Sequence, residues 1–193
     1  MAQGDRASMA VKATTTGLED FRAAFADEAS FRAWYDRMLP RVYGFVASRC
    51  GGPGPLAEEL TQQTFVEATR RHRSFDGRSD VMTWLCAIAR HKLADHYRRL
   101  EREGRRHMQL VVREIPVAES LDPSGDADER DAIERALRAL PPTQRAALIF
   151  RHLDGLSVRE IGSLLGKSDT AIESLLARAR QGFRGAYEGQ TGD

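Results

Sequence analysis

His91 and Asp95 lie four residues apart in a stretch of helical periodicity, which puts them on one face, one turn apart. An imidazole and a carboxylate so placed could share a metal ion. No third or fourth ligand follows at a recognisable spacing, and His96 falls on another face, so no metal is expected. Cys50 and Cys86 form no C-x-x-C and sit in apolar helical patterns; they read as buried thiols of a reducing cytoplasm. The sequence carries no serine or cysteine nucleophile arrangement, no phosphate-cradling glycine loop and no paired catalytic acids. The chain therefore reads as a non-enzyme that needs no cofactor. What its charged residues offer is contact with nucleic acid. Arg90, Lys92, Arg98 and Arg99 form a basic run that could hold phosphates, or else a solvated helix face. Arg178, Arg180 and Arg184 form a second group suited to phosphate contacts, which add affinity without reading sequence.

The element that would position the second group has clear local signals. Ser157-Val-Arg-Glu160 is a capping box that starts a helix. Gly166 ends it, and Ser168 caps the next. Ile161, Leu164 and Leu165 face Ile172, Leu176, Ala179 and Phe183 at helical spacing. Such a unit is a helical hairpin at least, and the turn spacing with double capping fits a DNA-binding helix-turn-helix. Leu175 joins the apolar stripe and belongs to the core. Glu173 points away from it, either to accept a bond from a cytosine amino group or to remain solvated.

The rest of the chain is all-α in pattern. Residues 1–17 are polar and Thr-rich and read as a loose tail. Leu18, Phe21 and Phe25 begin a short helix. A second helix runs from Phe31 to Arg49 with Trp34, Tyr35, Met38, Val42, Phe45 and Val46 inward, and Pro40 should kink it. Gly51-Gly-Pro-Gly-Pro55 is a break. A third helix spans Pro55–His72, with Leu56, Leu60, Thr64 and Val66 packing and Glu58, Glu59, Gln62 and Gln63 toward solvent. After the loop Arg73–Asp80 a fourth helix covers Val81–Gly104. Trp84 shares a face with Ile88 and reads as core. Glu114–Asp131 then holds seven acids against one arginine, with two prolines, and reads as a flexible acidic linker. Helices follow at Ala127–Leu140, from the Pro141-Pro142 break to Leu153, at Ser157–Leu165 and at Asp169–Tyr187. The organisation expected is a tail (1–17), a helical domain (18–106), a linker (107–128) and a second helical domain (129–190).

Composition sets limits on function. The chain has 193 residues, 41% of them hydrophobic and 30% charged, with a net charge of only +1. No apolar run approaches the roughly 20 residues that span a bilayer, and Met1-Ala-Gln-Gly-Asp-Arg6 has no apolar core of a signal peptide. No membrane insertion is expected. The pI of 7.9 is below the value of about 9 common in domains that bind DNA unaided. DNA binding must rest on local patches or on a partner's help.

Several motifs, in order, resemble one family. Ala57-Glu-Glu-Leu-Thr-Gln-Gln-Thr-Phe65 resembles the core-polymerase-binding motif of bacterial sigma factors. Phe75-Asp-Gly-Arg-Ser79 with Thr83-Trp-Leu-Cys-Ala-Ile-Ala-Arg90 and Asp95-His-Tyr-Arg-Arg99 is similar to the segment that opens and holds the −10 element. Leu137-Arg-Ala-Leu-Pro-Pro-Thr-Gln-Arg-Ala146 with Gly155-Leu-Ser157 resembles the start of the −35-binding domain. The set resembles the small two-domain extracytoplasmic-function (ECF) type and covers about 31–99 and 136–183.

This resemblance implies a protein that binds core RNA polymerase through Glu58, Glu59, Gln62 and Phe65. It implies a −10 site made of Asp76, Gly77, Arg78, Ser79, Asp80, Arg90, His91, Lys92, Arg98 and Arg99. Promoter melting loses about 1.4 kcal/mol of stacking per base-pair step, and a loop that takes an extruded base offsets part of that loss. The −35 site would comprise Lys167, Ser168, Asp169, Thr170, Glu173, Ser174, Arg178 and Arg180. Promoter DNA and an anti-sigma factor are the other partners implied. Gln63 and His91 stand where the family often has Glu and Asn. Thr170, Ala171, Glu173 and Leu175 replace the commoner Gly, Thr, Lys and Arg, so the usual −35 sequence does not carry over. A stand-alone helix-turn-helix regulator with an N-terminal sensing domain is the rival reading. It differs in predicting site-specific duplex binding without polymerase.

Overall fold

The structure, a computed structural model, describes residues 18–108 and 125–191. The tail 1–17 and the linker segment 109–124 lie outside the described residues. Every regular element among the described residues is helical, as the patterning predicts. After a short helical stretch at 18–23, as expected, come α1 (Glu28–Cys50), α2 (Pro55–Arg71) with a 3-10 turn His72–Ser74, α3 (Val81–Met108), α4 (Gly125–Ala139), α5 (Pro142–Leu148), α6 (Val158–Leu165) and α7 (Asp169–Thr191). A wide π-type turn, Ile149–Leu153, extends α5. Both ends of the expected 107–128 linker are helical, because α3 continues to Met108 and α4 begins at Gly125. The chain forms two compact units, Met1–Leu93 and Ala94–Asp193, with the division inside α3.

In the first unit, Asp27 starts α1 by accepting bonds from the Ser30 amide and hydroxyl, both 2.8 Å. Gly51, at φ 93°, ends it. Pro40 sits within α1 without ending it. A proline costs the helix one hydrogen bond, but the buried Met38, Val42 and Val46 hold the segments on either side to the same core. α2 turns Ala57, Leu60, Thr64, Phe65 and Ala68 inward. Val66, expected to pack, is 45% exposed, because the buried stripe runs through Phe65 and Ala68 instead.

Phe21, 1% exposed, is the hub of an aromatic cluster. Its ring centroid lies 5.2 Å from Phe25, 5.5 Å from Trp34, 5.0 Å from Phe75 and 5.5 Å from Trp84. These are edge-on geometries, the favourable ones for aromatic pairs. The residues before α1 are therefore part of the core. Trp84 belongs to the same cluster, half-buried.

In the second unit, Arg145 of α5 donates to the carbonyls of Leu137 (2.8 Å) and Arg138 (2.6 Å) and caps the end of α4. The last carbonyls of a helix lack the usual amide four residues on, so one side chain joins two elements across the Pro141 break. Burial holds the Arg145 pKa below its ordinary value. The capping box at α6 is complete: Glu160 Oε2 accepts from the Ser157 amide at 2.8 Å, and Ser157 Oγ accepts from the Glu160 amide at 3.3 Å. Gly166 (φ 65°) closes α6. Ser168 then accepts from the Ala171 amide at 3.3 Å and starts α7. Ile161, Leu164 and Leu165 pack with Ile172, Leu175, Leu176 and Ala179, all buried. Leu175 is thus a core residue, as its spacing predicts. Phe183 is half-buried and stacks on Tyr187.

Candidate nucleic-acid and polymerase interfaces

On α2, Glu58, Glu59 and Gln62 are exposed and share one face with Val66. Gln63, half-buried, donates to Glu59 at 2.8 Å. Phe65 does not join them. It is 4% exposed, with its ring against Trp34 and Tyr35 at 5.7 and 4.6 Å. Phe65 therefore supports this face from beneath, and Val66 takes the outward place one turn after Gln62. Beside the face lies an open groove of about 490 Å³, lined by Tyr35, Leu39, Pro40, Tyr43, Glu58, Thr61 and Gln62. The Thr61 hydroxyl in its lining is buried without a hydrogen-bond partner. Residues from α1 thus wall a surface that the sequence reading placed on α2 alone. The 3.6-residue period of α1 carried that signal, since Tyr35, Leu39 and Tyr43 recur every four residues.

The loop before α3 is held at four points. Phe75 is sunk in the aromatic cluster. Asp76 accepts from the Arg78 amide (3.1 Å) and its Nε (2.6 Å). Those bonds, the backbone one foremost, keep the Asp76 carboxyl below its ordinary value. Gly77 is buried at φ 73°, and a Cβ there would come within 2.9 Å of Leu18 Cβ. Asp80 accepts from the Met82 amide at 2.8 Å and starts α3. Asp76 and Asp80 thus spend carboxylate oxygens on shaping the loop, while Arg78 extends into solvent and Ser79 is half-buried.

The basic residues of α3 differ from one another. Lys92 is half-buried and paired with Glu67 of α2 at 3.3 Å. Glu67 also pairs with Arg71 at 2.5 Å. Burial pushes the Glu67 carboxyl up, but the Lys92 bond and charge, with Arg71 and Arg70, outweigh it and leave the pKa lowered. Lys92, expected to hold phosphate, ties α3 to α2 through this pair. Arg90 lies over the Phe45 ring, 5.2 Å from its centroid. His91 is exposed. In the part of α3 that belongs to the second unit, Arg98 pairs with Asp95, and Arg99 Nη2 lies 3.4 Å from His96 Nδ1. Asp95 is therefore engaged by an arginine. Among the described residues no three His, Cys, Asp or Glu side chains gather as metal ligands.

Ser168, in the turn, and Asp169, Thr170, Glu173, Ser174, Arg178 and Arg180 of α7 are all exposed, whereas Ile172, Leu175, Leu176 and Ala179 are buried. Lys167, in the turn, is half-buried. The turn is tight: the Lys167 amide donates to the Gly162 carbonyl at 2.9 Å, and a Cβ on Gly162 would meet the Lys167 carbonyl at 2.7 Å. This arrangement presents short polar side chains at the start of α7 and arginines further along. That order suits base-edge contact at the helix N-terminus and phosphate contact behind it.

Comparison with known proteins agrees with this architecture. The family model for sigma-70 region 2 matches residues 34–103, and that for sigma-70 region 4 matches residues 130–181. The chain is 33% identical to the ECF RNA polymerase sigma factor BldN of Streptomyces coelicolor, over 82% of this chain and 60% of BldN. It is 27% identical to the ECF sigma factor SigK of Mycobacterium tuberculosis, over 86% of this chain and 90% of SigK. Among solved structures, the sigma factor RpoE of Bartonella quintana, in complex with the anti-sigma factor NepR, shares the fold. That match has a TM-score of 0.50 and 24% identity, covering 83% of this chain and 98% of RpoE. The chain belongs to the sigma-70 family, among the RNA polymerase sigma factors of the ECF type. The stand-alone regulator is not favoured, since it gives no account of the region 2 match in the first unit. Among the described residues no helix is long and apolar enough to cross a membrane.

Proposed function

We propose that this protein binds core RNA polymerase and directs it to promoters as an ECF sigma factor. The observation that carries the reading is the presence of both sigma-70 regions, in order, on one chain. Glu58, Glu59 and Gln62, with Val66 beside them, meet the coiled-coil clamp of the polymerase largest subunit, while Phe65 keeps their helix in place. The 76–80 loop receives an extruded base of the −10 element. Arg78 and Ser79 contact it directly, and Asp76, Gly77 and Asp80 set the loop's shape. Arg90, Arg98 and Arg99 hold strand phosphates, His91 lies beside them, and Lys92 acts mainly on the fold. Asp169, Thr170, Glu173 and Ser174 enter the major groove of the −35 element, flanked by Lys167, Ser168, Arg178 and Arg180. Residues 107–128 tether the two regions. The protein is not itself an enzyme; RNA synthesis belongs to the polymerase. It works in the cytoplasm and is held inactive by an anti-sigma factor, the kind of partner seen with RpoE.

The weak net charge fits this division of labour. Once one region is anchored through polymerase, the other binds at a raised effective concentration and needs little affinity of its own. In vitro transcription tests the reading. Core polymerase supplied with the chain should start at defined promoters on templates from the cognate genome. No promoter-specific initiation on any such template would refute it.

A further inference from the structure

In the loop before α3, Gly77 is buried while its neighbours Asp76 and Arg78 are exposed. Leu18 covers it, half-buried at the start of the helical stretch 18–23. A Cβ on Gly77 would lie 2.9 Å from Leu18 Cβ, 3.1 Å from its Cδ2 and 3.3 Å from its Cγ, so the leucine side chain sits directly on the glycine backbone. Phe21, three residues on and so on the same face of that stretch, sets its ring 5.0 Å from Phe75. One short helical face therefore meets the loop twice, at Phe75 and at Gly77.

Two kinds of restraint act on this loop. The bonds from Arg78 to Asp76 and from Met82 to Asp80 each span two residues. They shape the chain locally, and a loop shaped only in that way can still swing about its ends. Contacts from far along the chain hold it to the body of the first unit. The need is greatest at Gly77, which stands at φ 73°, because a glycine backbone is the least restrained by its own sterics. Leu18 supplies the restraint there that a side chain would otherwise give. A site whose parts are already held loses less freedom on binding and presents its contacts in one geometry.

We infer that Leu18 is a positioning residue for base capture: packed on Gly77, it fixes where Arg78 and Ser79 stand when an extruded −10 base arrives. The inference rests on the −10 role proposed above for the 76–80 loop. It adds a residue that lies outside the family match at 34–103 and acts through the loop rather than on DNA.

The test uses the full chain assembled with core polymerase and a fork-junction promoter DNA carrying a single-stranded −10 segment. An abasic residue is placed at each −10 position in turn. With the unaltered chain one position should carry a binding penalty that Arg78→Ala or Ser79→Ala reduces, which marks the base the loop holds. Leu18→Ala should reduce the penalty at that same position. It should also weaken binding of the intact fork by about two- to ten-fold, the scale of ordering one side chain on binding, with core affinity unchanged. Leu18→Met, which keeps the apolar bulk, should restore both. Phe25→Leu controls for lost stability, because the Phe25 ring packs on His72, Phe31 and Trp34. It should lower the melting temperature and leave the penalty in place. An unchanged penalty in Leu18→Ala, or an equal loss of it in Phe25→Leu, overturns the positioning role alone. No penalty at any position with the unaltered chain, or one that neither Arg78→Ala nor Ser79→Ala reduces, removes the −10 role of the loop and the inference with it. Absent initiation by the unaltered chain instead counts against the sigma reading as a whole.

Discussion

Two side chains in the first unit set opposite stability terms. Glu67, between Lys92 and Arg71, has a lowered pKa, so its charged form favours the folded state. That contribution is complete above the ordinary carboxylate value of 4.5. It is lost as pH falls below that value and through the lowered folded one. Thermal melts across pH 3 to 6 should show a drop in stability on acidification that Glu67→Gln reduces. The orphaned Thr61 hydroxyl acts the other way, since a buried polar group without a partner costs stability. Thr61→Val should raise stability by about 1 kcal/mol in denaturant titrations. Neither role was legible in the sequence. Lys92 read as one member of a basic run because its partner Glu67 lies 25 positions away. Phe65 read as a contact residue because a motif match names positions without saying which way each faces.

Elements were far more legible than single contacts. The capping box, Gly166 and Ser168 each carry their signal in residue type at fixed spacing, and the helix-turn-helix follows them closely. Ser157→Ala should destabilise the second unit by about 1 kcal/mol, read from its unfolding transition. Gly162 gave no comparable cue, yet a Cβ there would sit 2.7 Å from the Lys167 carbonyl. Backbone cannot yield as a side-chain tip can. Gly162→Ala should therefore cost about 1–3 kcal/mol and disturb the turn that aims α7, with −35-dependent initiation falling alongside stability. Pro40 stays inside α1, as its place within the apolar pattern predicts, because burial on both sides outweighs one lost hydrogen bond. The end of α3 departs from its local signals. Gly104 reads as a helix end, but the residues around it, Arg, Glu and Met among them, are good helix formers, and α3 runs to Met108.

At the scale of the whole molecule, a net charge of +1 predicts weak unaided binding to DNA. Free protein at physiological salt should show no site-specific retention of promoter duplex in a filter or polarisation assay, whereas its complex with core polymerase should. The family match begins at residue 34, but the aromatic hub of the first unit is Phe21, and Leu18 closes over Gly77. A shortened protein beginning at residue 34, the natural choice from family boundaries, would keep every residue assigned to DNA and remove the floor beneath the loop that carries several of them. Such a protein would retain its surface and lose its shape. An assay run on it would report failed promoter opening where the defect is a missing foundation.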